Sequence, residues 1–319
     1  GNISLDKWDA AEEDGQRDEG LLDELYDAVQ VGSVDIDEIM AAHVSRAQGV
    51  SAEHLAKVWR ISLDKAHHTL DVTWQSSVHK PDPKLARNFG TNDRMLRYKH
   101  LKEYFFMDTL FATTKAGKSS RGNSCCQLFV TDKGFLDVIP MKAQSDVILA
   151  LKEFSKRIGV PEAIICDASG EQSTHELRQF CQEIGTTLRY IEEGTPWANK
   201  AELYVGLVKS AARKDMKATN SPVAFWDYCM ERKVRIMNVT ARKRFNLKDT
   251  NAYTQLTSEE ADISNLCQYN WYEWCYYMEH TNKFPFNQEV LGRVLGPAKG
   301  SGNKIAQWIL KSNGNVVPR

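Results

Sequence analysis

Between residues 103 and 191 the chain sets out strand-length apolar runs and amphipathic stretches in an order that few folds can accommodate. "EYFFMDTLFAT", "CCQLFVTD" and "FLDVIPM" follow one another, rich in aromatic and β-branched residues, and the last two are joined through a turn at Lys133 and Gly134. "SDVILALKEFSKRIG" then places apolar residues at helical spacing and ends on a glycine. Strand "AIICD", helix "STHELRQFCQEIG", strand "TTLRYIE" and two further helices, "NKAELYVGLVKSAARKDMKATN" and "SPVAFWDYCMERKVRIMNVTAR", complete the series. Three strands followed by alternating helix and strand predict a mixed sheet covered by helices, an α/β layer architecture.

The flanks have a different texture. Apolar positions at Ile36, Ile39, Met40 and Val44, then Leu55, Ala56 and Trp59, then Leu63, Ala66 and Leu70 predict three short helices over residues 35–76, with Ser51 and Ser62 as N-caps. The tight "RIS" turn between the last two reads as a helix-turn-helix whose final helix presents Lys65, His67, His68 and Thr69 outward. A packing module without DNA contact fits the same pattern. Residues 77–98 contain two prolines and five Lys or Arg among few large apolar residues, as a basic linker would. After about residue 246, "QYNWYEWCYYME", "EVLGRVLGP", "AQWILKS" and "NVVP", parted by turn signals, predict the antiparallel strands of a small barrel over 246–319. The expected order is thus an acidic segment 1–34, a helical domain 35–76, a linker 77–98, an α/β core 99–245 and the barrel.

Charge is distributed unevenly. Residues 1–45 hold thirteen Asp and Glu against Lys7 and Arg17, while the remainder holds 39 basic and 29 acidic residues. A basic body behind an acidic arm suits a protein that meets a polyanion, although a solvated linker has the same composition. No run of eighteen apolar residues occurs and the first thirty residues are acidic, so a soluble, intracellular protein without a membrane partner is expected. The start at Gly1 and the stop at "VVPR" suggest a piece of a longer polypeptide. Seven cysteines without a CxxC pair, and His54, His67 and His68 without a His-x3-His pair, lead to the expectation of free thiols and no structural zinc.

Three acidic residues interrupt apolar runs. Asp108 lies between "YFFM" and "TLF", Asp167 follows "AIIC", and Glu202 sits in "WANKAELYVGLV". An isolated charge in an apolar site costs several kcal/mol, roughly, unless it is compensated. Two carboxylates on adjacent strands and a third on a helix crossing their ends would form an oxygen cage for two hard divalent cations, the arrangement used for phosphoryl transfer. Pairing with Lys or Arg is the alternative for each acid taken singly. Lys209 and Arg213 fall on the same helical face as Glu202, with Lys217 near that stripe, so the helix lines up a metal ligand with phosphate partners.

Asp108, Asp167 fifty-nine positions on, and Glu202 thirty-five positions further resemble the DDE triad of retroviral-type integrases. "FFMDTLFATTKAGKSSRGNSCCQLFVTDKGF", "AIICDASGEQSTHELRQFCQEIGTTLR" and "GTPWANKAELYVGLVK" resemble most closely the integrase region of copia-type long-terminal-repeat retrotransposon polyproteins. The resemblance spans roughly residues 50–319. It implies a ribonuclease H-like core, an SH3-like barrel after it, Asp108, Asp167 and Glu202 as metal-binding catalytic carboxylates, and two Mg²⁺ or Mn²⁺ ions. It further implies joining of element DNA 3′ ends to target DNA, double-stranded DNA and further copies of the chain as partners, and a nucleus, or a virus-like particle beforehand, as the place of work. Lys209 matches the position that touches element-end DNA, and Gly170 with Glu171 the pair after the second aspartate. Lys200, Arg213, Lys217, Lys65 and His68 are further candidate DNA contacts. Lys200 stands where the family usually has glycine, and the family's zinc-binding His/His/Cys/Cys module is replaced by the helix-turn-helix pattern. A catalytically inactive DNA-binding descendant and a metal-dependent nuclease of the same fold are the competing readings.

Overall fold

The computed structural model describes residues 49–75, 99–112, 117–167, 174–191, 200–242, 250–279, 285, 288–299 and 305–319. The acidic segment 1–34, the helix expected on Ile36, Ile39, Met40 and Val44, the linker 77–98, and Gly170, Glu171, Trp197 and Asn199 lie outside these residues.

The centre is a five-stranded sheet built from β2 (Tyr104–Phe111), β3 (Cys125–Thr131), β4 (Leu136–Met141), β5 (Ala163–Cys166) and β6 (Thr187–Tyr190), after a short β1 (Thr73–Trp74). Its order is β4-β3-β2-β5-β6, with the first three antiparallel and β2, β5 and β6 parallel. The expected mixed sheet with flanking helices is therefore present. All seven residues of β3 are buried, which suits a strand covered on both faces. The hairpin between β3 and β4 turns on Gly134 at φ +79°, where a Cβ would stand 2.7 Å from the Tyr204 hydroxyl. Glycine thus lets the turn tuck against a helix as well as reverse the chain.

Helices cover both faces. On one side α3 (Val147–Arg157) and α4 (His175–Ile184) pack with Phe105, Phe129 and Ile164; Phe154 stacks on Phe129 at 4.4 Å and meets Phe105 edge-on at 5.0 Å. α4 starts where the Thr174 hydroxyl accepts from Leu177 N–H and ends at Gly185 in the left-handed region. On the other side α5 (Lys200–Thr219) and α6 (Trp226–Val239) bury Tyr204, Val208, Trp226 and Val234 against Phe106, Leu128 and Val130. Although α6 carries charged residues, Asp227, Glu231, Arg232 and Lys233 are all buried. Arg121 pairs with Asp227 and Glu231 at 2.8 and 2.9 Å, and Lys233 with Asp215 at 2.9 Å, so the charges enter the interior with partners.

The two described N-terminal helices, α1 (Ala52–Trp59) and α2 (Leu63–Asp71), join through Arg60 in the left-handed region, at the expected turn. Ser51 caps α1 by accepting from His54 N–H, whereas Ser62 makes no side-chain cap bond. Leu55, Val58, Trp59 and Ala66 pack on Ile236, Val239, Ile263 and Leu266. The Trp59 indole donates to Leu266 O at 3.0 Å, and β1 pairs in parallel with β7 (Ala261–Asp262). Two expectations for α2 are corrected. Thr69 is buried and accepts from Ala241 N–H, while Leu63, expected inside, is 44% exposed, because the core meets the Ala66–Thr69 side of the helix.

Beyond the core, α7 (Ala252–Thr257) and β7 precede an antiparallel sheet of β8 (Trp274–Met278), β9 (Glu289–Pro297), β10 (Gln307–Leu310) and β11 (Val316–Pro318), in the order β11-β10-β9-β8. Among the described residues no backbone pairing closes β11 onto β8, so the strands expected for a barrel form an open meander. Its edges are tied by side chains instead: Arg319 Nε donates to Met278 O, and Lys311 pairs with Glu279. Trp308 and Leu310 pack toward the α6 core while Ile309 packs with Cys275, Tyr277 and Val294, giving the sheet two apolar faces.

Candidate active site

The register of the central sheet decides where the first two carboxylates stand. In the parallel pair, Tyr104, Phe105 and Phe106 face Ala163, Ile164 and Ile165, each fifty-nine residues on. Fifty-nine residues also separate Asp108 from Asp167. Continued two residues past the last pair, that register points both aspartates to the same end of neighbouring strands, whose backbones lie roughly 5 Å apart. With Phe106 and Ile165 two residues before them packed toward α5 and α6, alternation turns both aspartates to that same face. Asp167 lies just past the end of β5, where the sheet opens to solvent.

Glu202 stands in the first turn of α5. Its charge and that of Asp167 both raise the Asp108 carboxyl above the usual aspartate range, behind burial, which is the largest cause. Two groups oppose the rise: Thr109 N–H, which donates to Asp108 Oδ1 at 2.7 Å, and the Lys209 ammonium. Asp108, Asp167, Glu202 and Lys209 thus share one electrostatic neighbourhood. The desolvation argument holds for Asp108 alone, because Asp167 and Glu202 are exposed. In the run that made Glu202 look buried, Leu203 is 65% and Leu207 42% exposed. The cause is geometric: α5 is covered on one side only.

Among the described residues no group of three His, Cys, Asp or Glu side chains stands close enough to hold one metal ion. The donor chemistry still fits a hard cation, since two carboxylates on adjacent strands repel and a divalent ion would relieve that repulsion. Asp108 and Asp167 are the residues placed to do so, with Glu202 in the same field but not gathered with them.

The remaining candidate residues divide. Lys200 pairs with Asp132 at the end of β3 and lies 5.5 Å from the Phe106 ring centre, so its ammonium is already engaged. Asp132 carries no local mark beyond an acid placed between a strand and the hairpin glycine in "VTDKGF". Arg213 and Lys217 are exposed further along α5. Lys65 and His68 line a cavity bounded by the α1–α2 turn, α5 and α6, away from the carboxylates.

No protein-family model matches the chain, and no curated protein does. Among solved structures, the HTLV-2 integrase catalytic core domain in complex with magnesium is similar in two forms. The trimeric form has 17% identity and a TM-score of 0.38 over 50% of this chain and 99% of that one. The dimeric form has 15% identity and a TM-score of 0.38 over 51% and 100%. A simian T-cell lymphotropic virus intasome in complex with PP2A regulatory subunit B56 gamma has 15% identity and a TM-score of 0.42 over 70% and 77%. No helix among the described residues is long and apolar enough to cross a membrane.

Proposed function

We propose that this chain is a copia-type retrotransposon integrase that joins the 3′ ends of element DNA to target DNA. The observation that supports the reading is the coincidence of the Asp108–Asp167 spacing with the β2–β5 register, together with the charges of Asp167, Glu202 and Lys209 acting on Asp108. When bound, two Mg²⁺ or Mn²⁺ ions would supply Lewis acidity at the phosphate undergoing transfer. Asp108 and Asp167 offer the oxygen ligands, and Glu202 completes the set by a rotamer change or a small shift of the first turn of α5. Lys209 offsets the repulsion among the acids and is placed to meet a phosphate oxygen. Arg213 and Lys217 extend the basic stripe along the DNA backbone, giving weak target-sequence preference and steep salt dependence. No covalent protein intermediate is needed. Two DNA ends call for more than one copy of the chain, working in the nucleus.

A second reading, a DNA-binding descendant without turnover, has its own observation: the three carboxylates are not gathered and Lys200 holds the start of α5 to Asp132. Incubation of the purified protein with Mn²⁺, a labelled blunt duplex with the element's terminal sequence and a plasmid separates the readings. Joining that disappears in Asp167→Asn supports the integrase. Tight, salt-sensitive binding without joining supports the second reading, and cleavage without joining identifies a nuclease.

A further inference from the structure

The α1–α2 turn, α5 and α6 line an open cavity of about 580 Å³ that the joining reaction leaves unexplained. Its apolar wall includes Ile61, Leu207 and Met237, all of which keep exposed surface, and Leu207 remains 42% exposed on a helix whose other side is core. Around that wall stand Arg60, Lys65 and Arg242, with His68 beside them and Asp64 as the acidic lining residue. Arg60 Nε reaches the buried Asp215 at 3.4 Å, which fixes its side chain at the edge. Lys65 is exposed and forms no ion pair among the described residues.

The sequence pattern assigns Lys65 and His68 to the reading helix of a helix-turn-helix, yet such a helix must protrude to enter a major groove about 12 Å wide. Here the two residues line a concavity. A cavity of a few hundred Å³ admits one or two large side chains, not a duplex, and phosphates gain nothing from an apolar wall. Charge and shape instead complement an acidic segment that carries a bulky apolar anchor.

We infer that this cavity docks an acidic peptide segment of a partner protein, with a Leu- or Phe-sized side chain against Leu207 and Met237 and flanking carboxylates on Lys65, Arg60 and Arg242. The pattern joins an apolar anchor in a pocket to a polar rim, as in tight peptide interfaces. The inference is independent of the joining activity.

Fluorescence anisotropy with the intact chain tests it, using three labelled probes: a short peptide of Glu and Asp interspersed with Leu and Phe, an all-glutamate peptide, and a duplex oligonucleotide. The mixed peptide should bind best. Its affinity should fall about tenfold or more in both Lys65→Glu and Leu207→Asp, since each removes one half of the complementarity. Leu203→Asp, on the same helix outside the cavity, should leave it unchanged. Far-ultraviolet melts, and the milder Leu207→Asn read alongside, separate lost docking from lost fold. Equal binding of the all-glutamate peptide, or insensitivity to both Leu207 variants, would overturn the apolar-anchor inference. Duplex that competes and responds to Lys65→Glu but not to Leu207→Asp would make the cavity a nucleic-acid surface. Absence of peptide binding would also overturn it.

Discussion

Replacing Asp108 by asparagine should make the metal-free protein more stable at neutral pH. Two charges about 5 Å apart at an effective dielectric constant of about 20 repel by roughly 3 kcal/mol. Asp167 and Glu202 are exposed, so solvent and salt reduce this severalfold. Loss of the attraction to Lys209 offsets a further part, while an asparagine oxygen can keep the bond from Thr109 N–H. A net gain of about 1 kcal/mol remains, or about 1–2 °C in melting temperature for a chain of this size. The pH dependence follows from the upward shift. An acid whose folded pKa is raised contributes stability below its unfolded value, near 3.9, and loses that contribution as pH rises through the folded value. The gap between variant and parent should therefore be small near pH 4, open above it and then stay constant. Calorimetry in EDTA at low salt from about pH 4 to 8 measures it. Addition of Mg²⁺ should stabilise the parent, by roughly 2.7 kcal/mol at a hundredfold excess over Kd, and the variant much less. A variant less stable in EDTA at pH 7, or a gap that does not change with pH, would refute the reasoning.

Other perturbations probe the frame around the site. Asp215→Ala leaves Lys233 buried with Trp59 O as its acceptor among the described residues, and should cost about 3–5 kcal/mol in urea unfolding. Trp59→Ala empties a fully buried site between α1 and the core and should cost about 3–5 kcal/mol. Gly134→Ala places a methyl group against the Tyr204 hydroxyl in a left-handed turn; roughly 1–3 kcal/mol of stability should be lost, with altered protection from hydrogen exchange in the first turns of α5. Lys200→Ala removes an exposed pair and should change stability by less than about 1 kcal/mol, so any larger effect on DNA joining would report positioning of α5.

Order and chemistry of the central elements were legible along the chain because strand and helix periods are local properties. The run of three strands, the turn at Gly134, the glycine end of α4 and the fifty-nine-residue interval between Asp108 and Asp167 are all written along the chain. Solvent exposure was not. "AELYVGLV" reads as a buried helix until the core covers one side only, and the four charged residues of "DYCMERKV" are buried because the core, α1 and the C-terminal sheet enclose α6. The same long-range packing buries Thr69, frees Leu63, turns Lys65 and His68 into the wall of a cavity, and ties Lys200 to Asp132. Sequence by itself determined the order of strands and helices and the residue intervals between the acids that interrupt them. Only the tertiary structure decided which of them are dry, paired or facing a groove, because burial depends on neighbours distant in the chain, and no local period records them.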